Sequence, residues 1–318
     1  MAAHDDRTKA MEFDSPEFIP VSMSLLPATW KKYREEVDEV VSRHPIIFAN
    51  HEFGAMDYDD IQGTMREGEH VDFWGCIWSN VHEGQQAIVT GHPVKTREDV
   101  RALTVPEPGH GTPHGFMWLR LGDLRGFGEL MIDFAEDAPE LQILIDKVLE
   151  YNCGEIARTL ENPPQLAHFG DDLGMQDRLA IGAEKWRKYL KPCYARMYGM
   201  CHDAGSKVYM HTDGHIVPII TDLIDCGVNV VNPQIRANGL DNLARECKGK
   251  ICVALDLDRQ LFPFCDPSDI DGHVRESVEV LGMPEGGLWL HAECGPDVPP
   301  ATIEAICVAL EKYRSYFS

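Results

Sequence analysis

The stretch Lys207-Val208-Tyr209-Met210-His211-Thr212-Asp213-Gly214-His215 is a short apolar run that ends in side chains able to bind metal or carry protons. The apolar residues predict a buried strand, and the glycine with the apolar spacing that follows predicts a helix. The fold therefore depends on how often the chain repeats this strand-and-helix unit. The function depends on which other side chains join His211 and Asp213.

Strands and helices alternate along the rest of the chain. Short apolar strands are predicted at 115–119, 165–169, 207–211, 228–231, 251–255 and 288–290, and two earlier ones at 19–25 and 71–78. Such strands are typical of a parallel sheet that helices cover on both sides. Eight strands with intervening helices predict a single-domain α/β fold, a (β/α)8 TIM-type barrel over 19–318. The polar residues 1–18 are predicted to form an irregular N-terminal arm.

An open, doubly wound sheet is the main alternative to the barrel. No Gly-x-Gly-x-x-Gly follows the early strands, which disfavours a dinucleotide-binding fold of that kind.

The charge of the chain excludes several classes of partner. Its 318 residues carry 52 acids and 29 bases, a net charge of −23, which repels nucleic acids and anionic membranes. No segment approaches the roughly 20 apolar residues of a membrane helix, and the N-terminus has no apolar signal core. A cytoplasmic location is therefore expected.

The ten cysteines show no Cys-x-x-Cys pair, so most are expected to be buried, reduced thiols.

Polar side chains crowd the predicted C-terminal ends of the strands, which share one face in a barrel. Polar residues also occur wherever a strand leaves the core, and this explains part of the pattern. It explains less well that successive late strands end in carboxylates, in His-x-Asp and in Glu-Cys. The residues concerned are Trp74, Trp78, His114, Asp171, Asp172, His211, Asp213, Gln234, Asp256, Asp258, His291, Glu293 and Cys294.

A metal site is the sharpest of these predictions. Imidazole and thiolate are preferred zinc ligands, so His211 and Cys294 are candidates, with Asp213 or Glu293 as the third ligand. A catalytic zinc keeps a fourth position open. In the simpler interpretation, His211 only hydrogen-bonds a carboxylate such as Asp213, and Cys294 is a packed thiol.

Four segments carry a resemblance to a known family: 169–176, 186–192, 208–214 and 218–234. They resemble the uroporphyrinogen decarboxylase superfamily, over most of the chain from about residue 72. That superfamily has a (β/α)8 barrel, which agrees with the strand count. Its true decarboxylases use an arginine-rich segment after the first strand, but 21–30 contains no arginine here. The chain therefore looks closer to the corrinoid-dependent methyltransferase branch.

That branch implies a metal and a corrinoid. Some of its members hold zinc with a His-x-Cys pair and a late cysteine. This chain keeps His211 and Cys294, with Asp213 in the place of the second cysteine. A metal held by more oxygen ligands is a harder Lewis acid, which argues against methylation of a thiol. It suits removal of a methyl group from oxygen or nitrogen.

The resemblance gives the remaining residues expected roles. Asp171, Asp172, Asp213 and Asp256 are the expected catalytic carboxylates, although one of the first two could instead cap the next helix. The residues expected to bind substrate are Trp74, Trp78, His114 and Gln234, although the two tryptophans could instead belong to the core.

The predicted activity is metal-dependent methyl transfer between a small molecule, such as a methoxyaromatic, and a corrinoid. The expected cofactors are zinc and cobalamin. No Asp-x-His-x-x-Gly corrinoid signature is present, so the corrinoid would be free or bound to a separate protein. The sequence is compatible with a homodimer. One alternative function is a cofactor-free decarboxylase of a smaller acid, and another is a non-catalytic protein that binds corrinoid or another ligand.

Overall fold

The computed structural model describes residues 2–318, with side chains from residue 6 onward. The strands in this range are β1 Val21–Leu25, β2 Gly68–Val71, β3 Ile77–Asn80, β4 Ile88–Gly91, β5 Leu166–Gly170, β6 Lys207–Thr212, β7 Val230–Pro233, β8 Cys252–Asp256 and β9 Leu288–Cys294. The α-helices are α1 Ala2–Glu12, α2 Pro27–Tyr33, α3 Glu35–Arg43, α4 Arg97–Ala102, α5 Trp118–Arg125, α6 Phe127–Glu136, α7 Pro139–Thr159, α8 Gly182–Tyr189, α9 Lys191–Asp203, α10 Ile220–Asp225, α11 Ile235–Asn238, α12 Leu240–Cys247, α13 Pro267–Leu281 and α14 Pro300–Tyr313. Short 3₁₀ turns lie at Gly63–Met65, Val217–Ile219 and Phe262–Phe264. No helix in residues 2–318 is long and apolar enough to cross a membrane.

The chain divides into two compact units. The terminal unit contains the residues up to Gly68 together with Asn80–Ala87 and Gln234–Ser318. The central unit contains Glu69–Ser79 and Ile88–Pro233.

The terminal unit is built on three parallel strands, with β9 between β1 and β8. Every residue of β8 is buried, as expected for a parallel strand with both faces covered. Helix α14 packs on α3 and α13, and α1 contacts β8 and β9. This unit therefore carries the parallel α/β pattern that the sequence predicts for its C-terminal part.

The central unit repeats the pattern with β6 between β5 and β7. The long helix α7 and helix α9 pack together beside these strands, with Leu144, Ile145 and Val148 of α7 buried. Strands β3 and β4 form a separate antiparallel pair in the same unit. The parallel α/β prediction is thus confirmed, and closure of eight strands into a single barrel stays a prediction.

Two of the eight predicted strands are wrong. In segment 115–119, Gly115 has a φ of 75°, which a strand does not allow, and α5 begins at Trp118. Segment 71–78 is interrupted by a turn, because the Asp72 carboxylate accepts the backbone N–H groups of Trp74 and Cys76. Side chains that bond to the backbone thus replace the ladder bonds that a strand would make.

The prediction that residues 1–18 are irregular is also wrong. Helix α1 occupies most of the segment, and its residues Ala10 and Met11 are buried. The carbonyl oxygen of Ala10 accepts the N–H of Gly287 at 2.7 Å, which ties the helix to the terminal unit. Met1 lies outside the described residues, and the division into an arm and a barrel stays a prediction.

Candidate metal centre

Three potential metal ligands come together in the central unit: His114, Asp172 and His211. His211 belongs to β6, and Asp172 follows β5 by two residues. These strands are parallel, with Gly170 opposite His211, so both side chains emerge near the same strand ends. His114 comes from the segment before α5, where the N–H of Gly115 donates to the carbonyl oxygen of Gly170 at 2.8 Å.

The spacing of the ligand atoms suits one small cation. The Oδ1 atom of Asp172 lies 3.2 Å from Nε2 of His114 and 3.9 Å from Nε2 of His211. One ligand atom from each residue lies within 4.8 Å of the other two. Ligands at about 2.0–2.1 Å from a tetrahedral zinc are about 3.4 Å apart, so small side-chain movements would complete the geometry. Three protein ligands leave a fourth position for a substrate or water.

A second layer of contacts orients the two imidazoles. The Nδ1–H group of His211 donates to Oδ1 of Asn232 at 2.6 Å, which directs Nε2 toward Asp172. Metal-binding histidines commonly use such a partner, which fixes the tautomer. His114 lies against the backbone of Gly170, where an added Cβ would approach its Nδ1 to 2.7 Å. The orientation of His211 therefore depends on the Asn232 amide, and the position of His114 depends on the lack of a side chain at Gly170.

The two loops that follow β5 and β6 are bonded backbone to backbone. The N–H of Gly174 donates to the carbonyl oxygen of Asp213 at 3.1 Å, and the N–H of His215 donates to that of Met175 at 2.7 Å. A Cβ on Gly174 would come within 2.3 Å of the His215 nitrogen, and one on Gly214 within 2.1 Å of the Gly174 oxygen. The loops that carry Asp172 and Asp213 thus hold each other in place.

The charges of the site favour protonated imidazoles beside ionised carboxylates. Burial alone would lower the pKa of His211, but its bond to Asp213 at 3.3 Å, its bond to Asn232 and the charge of Asp172 together raise it to about 9. The bond to Asp172 raises the pKa of His114. Burial pushes the pKa of Asp172 up, but the bond and charge of His114 lower it overall. A cation would take the place of these protons.

Asp171, directly before Asp172, faces the opposite way and has a structural environment. Its fully buried carboxylate accepts the backbone N–H groups of Met117, Trp118 and Leu119 and the hydroxyl of Tyr194. Burial raises its pKa to about 6 against these donors. These contacts cap the start of α5, which precedes Asp171 in the chain, and not the helix that follows it. The catalytic role of Asp172 stays a prediction.

A cavity of about 480 Å³ adjoins the group of three at Asp172, which is the one member of the group that lines it. His92 and Asp123 are the other ionisable side chains in its wall. The rest is mainly apolar: Val89, Trp118, Leu119, Phe127, Leu130 and Met175. This volume and composition are typical of a small-molecule site.

The predicted substrate tryptophans pack elsewhere in the central unit. Trp74 is buried with its ring edge against Tyr151, at 5.2 Å between centroids. The indole N–H of Trp78 donates to Asp72 at 3.0 Å. Neither side chain lines the cavity beside Asp172. The structure therefore favours the alternative in which both are structural.

The other predicted site residues lie in the terminal unit. Arg259 pairs with Glu293 at 2.5 Å and with Asp256 at 3.3 Å, and the backbone of Gln234 bridges to that of Asp256. Cys294 is fully buried, and burial raises the pKa of its thiol well above the usual value. From residue 6 onward, no group of three clustered ligands includes Glu293 or Cys294.

The sequence thus identified some ligands and missed their combination. Asp172 was assigned to catalysis and His114 to substrate binding, whereas the structure places both beside His211. Asn232 and Asp123 were not assigned to the site at all. The run Asn232-Pro233 at a predicted strand end was a usable signal, but Asp123 lies inside a helix and had none.

Replacement of Gly170 by alanine tests the fit of His114. The added Cβ would lie 2.7 Å from Nδ1, so the imidazole must turn away from Asp172. We expect metal affinity to fall about 10-fold or more, as for other changes that disturb ligand orientation. Titration with Zn²⁺ measures it, and Gly199→Ala is the control, since an added Cβ there meets nothing within 4 Å. Equal affinity in the two variants would contradict this geometry.

Comparisons with known proteins agree with the fold. No protein-family model and no curated protein sequence matches the chain. A solved methyltransferase from Methanosarcina mazei is similar in structure, with a TM-score of 0.66, 16% sequence identity and 98% of each chain covered. A B12-independent methionine synthase from Shewanella sp. W3-18-1 aligns at a TM-score of 0.40, with 10% identity over 73% of this chain and 69% of its own. The second value is too low to support an argument. The chain therefore shares its overall fold with the methanogen methyltransferase.

Proposed function

We propose that the protein is a metal-dependent methyltransferase that moves a methyl group between a small molecule and a corrinoid. The observation that carries the proposal is the group His114, Asp172 and His211, of which Asp172 lines a mainly apolar cavity. The fold shared with a methyltransferase supports it. The sequence resemblance to corrinoid-dependent methyltransferases supports the same reaction class.

The residues of the site have separate tasks in this proposal. His114, Asp172 and His211 would hold zinc, which supplies a Lewis acid for the oxygen or nitrogen that loses its methyl group. Asn232 keeps Nε2 of His211 directed at the metal position. Asp213, 3.3 Å from that Nε2, would place a further negative charge beside the metal position.

The cavity wall would complete the site. Its apolar side chains, among them Trp118 and Leu130, exclude water from the methyl donor. The corrinoid would be free cobalamin or the cofactor of a separate protein.

A second candidate is a decarboxylase that uses no metal. Its supporting observation is the pair of imidazoles with raised pKa, since His114 and His211 would then both be proton donors beside carboxylates. Such a pair could protonate the carbon that loses carbon dioxide. Metal analysis separates this candidate from the methyltransferase.

The metal site predicts one zinc per chain in the protein purified without chelators. Its X-ray absorption spectrum is expected to show only nitrogen and oxygen ligands. Sulfur in the spectrum would instead implicate Cys294, the ligand that the sequence predicts. A protein that contains no metal, and takes none up from added Zn²⁺, would contradict the proposal and favour the decarboxylase.

The activity test uses cob(I)alamin as acceptor and methoxylated aromatics or methylamines as donors, with methylcobalamin formation followed by absorbance. Removal of the metal with a chelator is expected to abolish transfer, and Zn²⁺ to restore it. Transfer that continues unchanged after complete metal removal would refute the metal-dependent mechanism while leaving the reaction class in place.

A further inference from the structure

The wall of the cavity beside Asp172 contains more acidic than basic side chains. The ionisable side chains in its wall are Asp123, Asp172 and His92. Across residues 6–318, no lysine or arginine contributes to this wall. A bound cation would offset the charge of Asp172. Asp123 would then be the remaining negative charge in the cavity wall that a ligand meets.

Asp123 is held in the wall by its surroundings. Its carbonyl oxygen accepts the Nδ1–H group of His92 at 2.7 Å, and its carboxylate is 19% exposed. Burial raises its pKa to about 6. The carboxylate is therefore mostly ionised in a neutral or mildly alkaline buffer.

The nearest cation does not reverse this charge. Arg120 lies 3.8 Å from the Asp123 carboxylate, but it bonds to Asp72 at 2.6 Å and is 5% exposed. Its charge is therefore shared between two carboxylates behind the wall. An anionic ligand would meet Asp123 before it could approach Arg120.

The rest of the wall is mainly apolar. Trp118 and Leu130 are buried, whereas Phe127 and Met175 are 52% and 45% exposed and form part of the rim.

From this arrangement, and resting on the proposed function, we infer the chemical class of the methyl donor. It is a small molecule with an apolar body that carries a hydrogen-bond donor, either a hydroxyl or an ammonium group, for Asp123. A carboxylate beside Asp123 weakens binding by charge repulsion. Asp123 is thus a specificity-determining residue that takes no part in the transfer itself.

The test measures binding in the absence of corrinoid. Calorimetric titration of the zinc-loaded protein uses 4-methoxyphenol, 4-methoxybenzylamine and 4-methoxybenzoate, which share one methoxy ring and differ in charge. We expect the benzoate to bind at least about 10-fold more weakly than the other two, a difference that one partly buried like-charge contact provides. Benzoate binding within about threefold of the phenol would overturn the inference.

Two variants link the selectivity to the cavity. Asp123→Asn is expected to reduce the preference against benzoate to within about threefold. Met175→Lys places a cation at the rim and is expected to strengthen benzoate binding over the wild type. Asp203→Asn removes the same charge at an exposed position on α9 and is the matched control. A preference unchanged in both cavity variants would contradict the assignment of Asp123.

The outcomes separate this inference from the proposed function. Charge-selective binding without methyl transfer to cob(I)alamin would retain the ligand class and reject the methyltransferase. Methyl transfer from 4-methoxybenzoate at a rate equal to that from 4-methoxyphenol would retain the methyltransferase and reject the ligand class.

Discussion

Asp171→Ala is expected to lower the free energy of unfolding by about 3–5 kcal/mol, the upper range for a single substitution. The buried carboxylate accepts three backbone N–H groups at the start of α5 and the Tyr194 hydroxyl. Alanine would leave all four donors without that acceptor in a region that water does not reach. Each unsatisfied buried donor costs about 1–3 kcal/mol before the structure relaxes. Chemical denaturation followed by circular dichroism measures the loss.

The neighbouring residue supplies the matched control. Asp172→Ala removes the same chemical group from a side chain that is 28% exposed and has one backbone donor, the N–H of Asp213. We expect it to cost about 1 kcal/mol of stability and to abolish tight zinc binding. Asp171→Asn should lower the free energy of unfolding by less than Asp171→Ala does, because the amide oxygen of asparagine still accepts hydrogen bonds. Equal stability of the two alanine variants would contradict the division of roles between these carboxylates.

His211→Ala is expected to reduce zinc affinity by at least about 100-fold, since even changes behind a ligand cost 10- to 100-fold. The side chain supplies Nε2 to the metal position, and its Nδ1–H bond to Asn232 aims it there. Methyl transfer should fall in parallel at low zinc and should recover only in part at high zinc. Zinc content after dialysis and a titration with a competing chelator measure the change.

His202→Ala is the control for this variant. His202 is exposed on α9, and its ring donates to the carbonyl oxygen of Gly227, away from the three ligands. It removes the same ring from the same unit and is expected to leave zinc affinity unchanged. If both histidine variants retain zinc equally, the metal is held elsewhere.

The sequence predicted the late strands well because their signals are local. Strands β5 to β9 are short apolar runs, several of them preceded by a glycine that ends a helix. Segment 115–119 is equally apolar, yet it forms a turn and the start of a helix. The reason is Asp171, more than 50 residues away, whose carboxylate takes up the backbone donors. No local pattern contains that information.

The error at 71–78 is different, because its cause was visible. Asp72 is followed by Trp74 two residues on and by Gly75, which is the pattern of a turn that an aspartate side chain closes. The apolar residues around it favour a strand locally, and the aspartate side chain overrides them.

The site was predicted in the same partial way. A histidine at the end of a strand indicated His211, and the paired acids after another strand indicated Asp172. His114 precedes segment 115–119, which is predicted as a strand and forms a turn and the start of a helix. Its predicted role is substrate binding, and the structure places it beside Asp172 and His211. The choice of Cys294 rested on zinc's affinity for sulfur, which is a preference of the metal and contains no information on distance.

The paired loops after β5 and β6 have a consequence for the rate at which the site acquires its metal. Because Gly174 and Gly214 let the two backbones touch, the carboxylate of Asp172 and the imidazole of His211 need no loop closure before they can act together. Zinc uptake should therefore be limited by the departure of protons and hydration water, not by folding of the loops. Hydrogen exchange at the Gly174 and His215 amides should be equally slow with and without the ion.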